Sequence, residues 1–258
     1  MPLDPNCPDC DGTGWKQTEK DGLTAVVRCG CAKAAPIGDR LTQAGVPDRF
    51  RESSFDNFAC RLPGDPNDYD KLSTAMLPVR HFASEYPTAS YRGILLQGPP
   101  GVGKTHLAVA ALRRLLDRGF DAVFFDYQTL LQKIRDGYNP SSNVSDGAAY
   151  QTALDAEILL LDDLGAHRVT DWVLDTVTAI INHRYNENKP IIVTTNLALR
   201  ERGDAVARKD AASGKYQIDD SLGDRIGQRA VSRLFEMCKE VRIQTQDYRL
   251  RPQAQGRY

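Results

Sequence analysis

The stretch GPPGVGKT, residues Gly98 to Thr105, decides how the rest of the sequence is interpreted. It satisfies G-x-x-x-x-G-K-[ST], follows the apolar run GILLQ and opens a segment with helical spacing. In such a loop the glycines let successive backbone N–H groups surround a phosphate, and the helix N-terminus adds positive potential. We therefore predict a nucleoside triphosphate site, in which Lys104 reaches the β- and γ-phosphates and the Thr105 hydroxyl ligates Mg²⁺. The predicted nucleotide-binding residues are Gly98, Pro99, Pro100, Gly101, Val102, Gly103, Lys104, Thr105 and His106.

Two further strand ends supply polar groups for such a site. In ILLLDDLG an acidic pair follows a buried strand, and we predict that Asp162 holds Mg²⁺ through water while Asp163 orients or deprotonates the attacking water. Capping of a strand–helix turn is the alternative role for this pair. In IIVTTN, Asn196 is predicted to contact the γ-phosphate or the attacking water, and an ordinary turn residue is the alternative there.

Five short, mostly apolar runs are typical of strands buried on both faces of a parallel sheet. They are GILLQ (93–97), AVFFD (122–126), EILLLDD (157–163), IIVTTN (191–196) and EVRIQ (240–244). Segments with helical spacing separate them, so we predict an α/β fold with a central parallel sheet flanked by helices. A helix is also expected from Tyr69 to Tyr86, and polar loops over residues 139–151 and 200–221.

The composition excludes several classes of protein. The 258 residues are 41% apolar and carry a net charge of −1, which suits a globular chain and gives no overall electrostatic footprint for nucleic acid. No apolar run is long enough to span a membrane, and the N-terminus lacks the basic and apolar regions of a signal peptide. We therefore expect a cytoplasmic protein. Contact with DNA would need a local patch, and residues 225–258 contain eight Arg/Lys against three Asp/Glu.

Four cysteines lie close to the N-terminus: Cys7, Cys10, Cys29 and Cys31. The pattern C-x2-C, eighteen intervening residues and C-x-C predicts a Cys₄ zinc site, because thiolates on two tight turns can converge tetrahedrally. In so small a module the metal would supply most of the folding free energy. Free cysteines in a flexible tail are the alternative, and disulfides fit a reducing compartment less well. CPDCDGTG also matches one repeat of Hsp40-type zinc modules, but CGCAKA provides no further copy.

The order GPPGVGKT, LLLDDLG and VTTN matches the Walker A, Walker B and sensor-1 elements of AAA+ ATPases, and the chain resembles their DnaC/DnaI/IstB group of helicase loaders and transposition helpers. GVPDRFRESSFDNF (45–58) is similar to the group's lead-in segment, GQRAVSRLFEMCKEVRI (227–243) to its terminal helix and strand, and DYR (247–249) to its closing motif. The resemblance covers about residues 44–251. It implies ATP and Mg²⁺ as cofactors, beside Zn²⁺ at the cysteines.

The resemblance also implies roles for two arginines. Arg233 falls where the group has an arginine finger, which reaches ATP bound by a neighbouring subunit, and Arg229 lies one helical turn earlier as a second cation. A solvated basic face is the alternative. A finger that acts in trans requires a homo-oligomer, either a ring or a spiral on DNA. The chain ends soon after its last predicted strand, so the helical lid and its sensor-2 arginine are expected to be absent.

In related initiators and loaders, a helical element after the second strand lines a DNA channel. By this resemblance, Lys133 and Arg135 would contact phosphates and Tyr138 would stack on a base. An ordinary amphipathic helix is the alternative. The predicted parts of the chain are a zinc module (1–35), a linker with a lead-in helical segment (36–90), an AAA+ core (91–251) and a tail (252–258).

Together with the phosphate site, the resemblance implies an ATP-dependent DNA replication protein that loads a replicative helicase onto single-stranded DNA. The zinc module would hold the helicase, an arrangement that resembles DnaI-type loaders. One alternative is an IstB-like helper ATPase that partners a transposase, because it would have the same core. Another is a nucleotide-gated adaptor that binds ATP and DNA with little turnover.

Overall fold

The computed structural model describes residues 6–20, 23–33, 36–58, 67–137, 148–199, 207–209, 216–218 and 220–250. The elements, in chain order, are β1 (Trp15–Lys20), β2 (Leu23–Arg28), α1 (Ile37–Gln43), α2 (Asn67–Glu85), β3 (Gly93–Gln97), α3 (Lys104–Asp117), β4 (Ala122–Asp126), α4 (Tyr127–Gly137), α5 (Ala148–Asp155), β5 (Ile158–Asp162), α6 (Asp171–Asn186), β6 (Ile191–Thr195), β7 (Ala207–Lys209), β8 (Tyr216–Ile218), α7 (Leu222–Ile226), α8 (Gln228–Met237) and β9 (Cys238–Arg242).

A five-stranded sheet forms the centre of the fold, in the order β4-β5-β6-β3-β9. All four neighbouring pairs are parallel, which confirms the predicted sheet. Strands β5 and β6 are buried at every position, as expected for apolar runs covered on both faces. Because β3 pairs with β6 and β9 while its own helix leads to β4 at the far edge, the loop after β3 lies at a topological switch point, where open α/β sheets bind ligands.

Helices cover both faces of this sheet. On one face α3 packs with α2 and α1, and Leu72, Val79 and Phe82 of α2 belong to its apolar core. The backbone N–H of Phe124 donates to the carbonyl of Ala44 at 2.7 Å, so the residue that follows α1 and directly precedes the lead-in segment is bonded to β4. On the other face lie α4, α5, α6, α7 and α8. The lead-in segment is therefore packed against the core of the α/β fold.

Three local predictions differ from the structure. Strand β9 begins at Cys238, two residues before the predicted start, because only Cys238 and Val241 of this edge strand are buried and the apolar signal is weak. The predicted loop at 139–151 is wrong for residues 148–151, which lie in α5; there alanines form helix readily, and Ala153 is buried. Within residues 200–221, β7 and β8 pair antiparallel.

The sequence predicts neither a membrane-spanning helix nor a helical lid, and the structure bears on both only within its described residues. None of their helices is both long enough and apolar enough to cross a bilayer. Beyond β9, residues 243–250 contain one regular element, a 3₁₀ turn at Tyr248–Leu250, and no lid helix.

A buried arginine on α6, Arg184, connects the starts of β5 and β6 to the end of α5 through hydrogen bonds. Arg184 is 0% exposed, and its guanidinium donates to carbonyl oxygens at the end of α5, just before β5 and just before β6. The acceptors are Ala153, Leu154, Ala156, Glu157 and Pro190, at 2.6 to 3.4 Å. Burial lowers its pKa to about 10, so the group is still charged at neutral pH. The planar fork of arginine suits several acceptors at once.

We predict that Arg184→Met lowers the free energy of unfolding by about 3 to 5 kcal/mol, because several buried carbonyl groups lose their donor. Arg184→Lys should recover part of this loss, since an ammonium has three donors and cannot span all the acceptors. Denaturant unfolding measures both. Exposed Arg168 is the matched control, and Arg168→Met should change stability by less than about 0.5 kcal/mol. Equal stability of the Arg184→Met protein and the wild type would refute the structural role.

Candidate nucleotide site and cysteine cluster

The phosphate loop joins β3 to α3 at the switch point of the sheet. Gly101 and Gly103 have φ angles of 75° and 97°, in the left-handed region that favours glycine. A Cβ on Gly103 would lie 2.7 Å from the ring of Phe58, so the lead-in segment closes one side of the loop. His106 on the first turn of α3 contacts the same ring and bonds the carbonyl of Ser54 at 2.9 Å. Sequence reasoning did not identify Phe58 as a neighbour of the loop.

Lys104 is the first residue of α3, and only 5% of it is exposed. Its ammonium donates to the carbonyl oxygens of Gly98 and Pro99, both at 2.9 Å, and to Oδ1 of Asn196. Burial lowers the pKa of Lys104, and the charges of Asp163 and Asp162 oppose that effect. The cation is therefore held over its own loop by neutral oxygen atoms, which phosphate oxygens can replace with stronger, charge-assisted bonds.

Asp162 ends β5 opposite Thr105. The Thr105 hydroxyl donates to Oδ1 and Oδ2 of Asp162 at 3.0 and 3.2 Å, and the Thr194 hydroxyl donates to Oδ1 at 2.6 Å. Burial raises the pKa of Asp162 to about 6. Mg²⁺ prefers oxygen ligands, and a hydroxyl beside a carboxylate provides them, so this pair fits the predicted magnesium site. Thr194 was missed in the sequence, where it is one residue of an apolar strand.

Asp163 follows with a φ angle of 54°, in the left-handed region of backbone conformation. Its backbone N–H donates to the Thr194 hydroxyl at 2.9 Å, and its Oδ1 accepts from Nδ2 of Asn196 at 3.2 Å. Asn196 therefore bridges the Lys104 ammonium and the Asp163 carboxylate. The structure thus brings together four of the predicted catalytic side chains: Lys104, Asp162, Asp163 and Asn196.

The fifth predicted catalytic residue, Arg233, lies on α8, whose buried face is Ala230, Val231, Leu234 and Met237. Its guanidinium carbon lies 5.5 Å from the ring centroid of Tyr185, and its Nη1 donates weakly to the carbonyl of Arg229 at 3.5 Å. The Tyr185 hydroxyl in turn donates to Glu236 at 2.7 Å. These residues line a shallow pocket of about 400 Å³. None of the contacts of Arg233 described here involves the phosphate loop of its own chain.

Two of the residues predicted to contact DNA, Lys133 and Arg135, lie on α4, and each packs near an aromatic ring. Lys133 and Arg135 are exposed, while Leu130, Leu131 and Ile134 are buried on the opposite face of the helix. The Lys133 ammonium lies 5.8 Å from the ring of Phe125, and the Arg135 guanidinium lies 4.9 Å from that of Trp172. Tyr138 lies outside the described residues. The amphipathic alternative is therefore observed, and it leaves both cations at the surface.

The four N-terminal cysteines converge beside the hairpin of β1 and β2. Their sulfur atoms all lie within 4.8 Å of one another, with Cys7 to Cys29 at 3.5 Å and Cys10 to Cys31 at 3.3 Å. A tetrahedral zinc site with Zn–S bonds of about 2.3 Å places its sulfurs about 3.8 Å apart, so the cluster fits zinc. The Gly14 N–H donates to the Cys10 sulfur at 3.2 Å, which stabilises a thiolate. Although loss of water opposes it, the hydrogen bond with Cys31 helps to lower the pKa of Cys10 to about 7.

We predict that the purified chain holds about one Zn²⁺, and that Cys29→Ser releases it, because fully buried Cys29 belongs to the sulfur cluster. Elemental analysis and a colorimetric chelator measure the zinc. Cys238 is also buried but lies outside the cluster, so Cys238→Ala should keep the metal. Equal zinc content in the two variants would contradict the assignment.

Comparison with known proteins places this geometry in context. The sequence pattern of the family described as "IstB-like ATP binding protein" matches residues 68–256. The phage-like element PBSX protein XkdC of Bacillus subtilis (strain 168) is 26% identical over 251 residues, which cover 92% of this chain and 81% of XkdC. The putative ATP-binding protein Rv3427c in an insertion sequence of Mycobacterium tuberculosis is 30% identical over 159 residues, covering 62% of this chain and 61% of that protein.

The crystal structure of the DnaC helicase loader superimposes with a TM-score of 0.57 and 29% sequence identity, covering 76% of this chain and 99% of that one. The fold is therefore a DnaC-like AAA+ fold. The predicted fold class and the predicted resemblance are both confirmed.

Proposed function

Because this chain belongs to the family of IstB-like ATP-binding proteins, we propose that it uses ATP to load a ring-shaped replicative helicase onto single-stranded DNA. The family establishes an ATP-binding protein of the replication or transposition type. The observation that best supports a helicase as the partner is the structural similarity to the DnaC helicase loader, which covers 99% of that chain.

The arrangement of the site suggests how each residue acts on ATP. Lys104 would exchange the carbonyls of Gly98 and Pro99 for phosphate oxygens, and loop N–H groups would bind the phosphates. Thr105 and Asp162 would hold Mg²⁺, which neutralises charge on the phosphates when bound. Asp163, oriented by Asn196, would accept a proton from the attacking water.

Two other parts of the chain would connect this site to its partners. The cysteine module would hold the helicase, and α4 would present Lys133 and Arg135 to single-stranded DNA in a homo-oligomer. Arg233 would complete the site of a neighbouring subunit. Arg233 lies on α8, and its contacts with Tyr185 and the carbonyl of Arg229 do not involve the phosphate loop of its own chain, which is compatible with action in trans.

Loading onto closed circular single-stranded DNA tests the proposal, because a ring-shaped helicase cannot thread onto a circle without being opened. The replicative helicase of the host would be incubated with the circle, ATP and this protein, and DNA-bound helicase would be measured after gel filtration. We expect the wild type to increase bound helicase severalfold and Lys104→Ala to give no increase. If the helicase binds the circle equally with and without the protein, helicase loading is wrong.

The second candidate function is assistance to a transposase. It is favoured by the 30% identity to the ATP-binding protein from an insertion sequence, which exceeds the identity to XkdC. Parallel pull-downs with the host helicase and with a transposase encoded beside this gene distinguish the two. Retention of the transposase alone would favour this second function.

A further inference from the structure

The segment after β9 returns to the phosphate loop. The N–H of Ile243 donates to the carbonyl of Gln97 at 2.8 Å, which extends the pairing with β3 beyond β9. A few residues later, the N–H of Tyr248 donates to the carbonyl of Gly101 at 2.9 Å. The DYR segment, residues Asp247 to Arg249, is therefore bonded to the middle of GPPGVGKT.

Asp247 lies directly against the loop. A Cβ built on Gly101 would be only 1.7 Å from Oδ1 of Asp247, so the carboxylate fills the space that a side chain at residue 101 would need. An acidic group is unexpected beside a loop that binds phosphates, because like charges repel. Its presence there needs a compensating cation.

Arg249 provides that cation. Its Nε and Nη2 donate to the two carboxylate oxygens of Asp247 at 3.2 and 3.1 Å, and its backbone N–H donates to Oδ1 at 2.9 Å. This two-point fork fixes the plane of the guanidinium. The Arg249 side chain is 61% exposed, whereas that of Asp247 is 22% exposed, so the acid lies against the loop and the arginine is open to solvent beside it. Burial lowers the pKa of Lys104, the charges of Asp163, Asp162 and Asp247 oppose that effect, and the charge of Arg249 adds to it, so both members of the Asp247–Arg249 pair act electrostatically on Lys104.

We propose that Arg249 binds the terminal phosphate of ATP held by the phosphate loop of its own chain, and that Asp247 positions the guanidinium for this contact. The inference rests on the proposed ATP site. Lys104 reaches the β- and γ-phosphates in loops of this type, and Arg249 shares its electrostatic environment. In AAA+ ATPases with a helical lid, the lid carries the sensor-2 arginine. The described residues contain no lid helix, and Arg249 would supply a cation in cis instead.

Binding of Mg·ATP and Mg·ADP to the full chain by calorimetry tests this inference. Arg249→Ala should raise the Kd for ATP about tenfold or more, as expected for loss of a charge-assisted bond, and the Kd for ADP by less than about threefold. Arg242 is the matched control, because it also pairs with a carboxylate two residues earlier, that of Glu240. Arg242→Ala should leave both constants within about twofold of wild type.

A double variant separates positioning from a general structural role. In Arg249→Ala the carboxylate of Asp247 is left without its partner beside the phosphates, so adding Asp247→Asn should recover part of the ATP affinity. If the pair served only to stabilise the segment, the double variant would bind ATP more weakly than Arg249→Ala. Unchanged ATP binding in Arg249→Ala, equal losses for ATP and ADP, or further loss in the double variant would each overturn the inference.

Lys104→Ala shows which hypothesis has failed. If the wild type does not bind ATP, the proposed function itself is wrong. If the wild type binds ATP, Lys104→Ala does not, and Arg249→Ala equals the wild type, then the phosphate site stands and only the role of Arg249 is refuted.

Discussion

Replacing Lys104 with alanine should reduce ATP hydrolysis by about 100-fold or more, because it removes a preorganised cation from the position where charge develops on the phosphates. The structure shows how this cation is held in place. The ammonium is almost completely buried, and the backbone oxygens of Gly98 and Pro99 together with Asn196 fix it over the loop. Steady-state phosphate release, with and without single-stranded DNA, measures the effect.

Lys189 is a suitable control for this variant. Its ammonium also donates to two backbone carbonyls, those of Leu154 and Asp155 at 3.0 and 3.1 Å, but it lies at the other end of the sheet from the phosphate loop. Lys189→Ala should therefore keep most of the activity while losing a similar set of bonds. If wild type and Lys104→Ala released phosphate at the same low rate, the chain would be an adaptor that binds nucleotide without turnover.

The sequence was sufficient for the parts of the site that are contiguous along the chain. Lys104 and Thr105 belong to one loop, and Asp162 and Asp163 to one strand end, so spacing alone identified them. The order of the parallel strands then brings Asn196 to the same edge, as the comparison with AAA+ ATPases implied. Local pattern and sheet topology together account for this half of the site.

Other neighbours of the loop depend on tertiary contacts that leave no local pattern. Phe58 reaches Gly103 from the lead-in segment, and Asp247 reaches Gly101 from the far end of the chain. Neither contact has a fixed spacing from the motif. Thr194 was hidden for a different reason: a threonine inside an apolar strand is common, and only the position of its hydroxyl next to Asp162 reveals its role.

The position of β9 shows the same limit in the fold. Edge strands have one solvated side, so their sequence contains fewer apolar residues than that of central strands, and the period of the signal is ambiguous. Pairing with β3 decides the register: Gly93 lies opposite Cys238, and a Cβ on Gly93 would be 2.8 Å from the Cys238 sulfur. The absence of a side chain on Gly93 therefore leaves room for Cys238 at the start of β9.

Arg233→Ala should lower hydrolysis by about 1,000-fold in a preformed oligomer, the lower end of what an arginine finger contributes, while ATP binding to the isolated chain stays close to wild type. The reason is geometric. Arg233 packs on the ring of Tyr185, whose hydroxyl donates a hydrogen bond to Glu236. The contacts described for Arg233 do not include the phosphate loop of its own chain. Ser232→Ala, an exposed change on the same helix, should have almost no effect.

Mixing two inactive variants tests action in trans directly. A Lys104→Ala subunit lacks a working site but keeps Arg233, whereas an Arg233→Ala subunit keeps its site and lacks the finger. Random assembly of equal amounts gives about a quarter of the interfaces one intact site and one intact finger, so about a quarter of wild-type activity should return. If Arg233 acted within its own chain, every subunit would still be defective and the mixture would remain inactive.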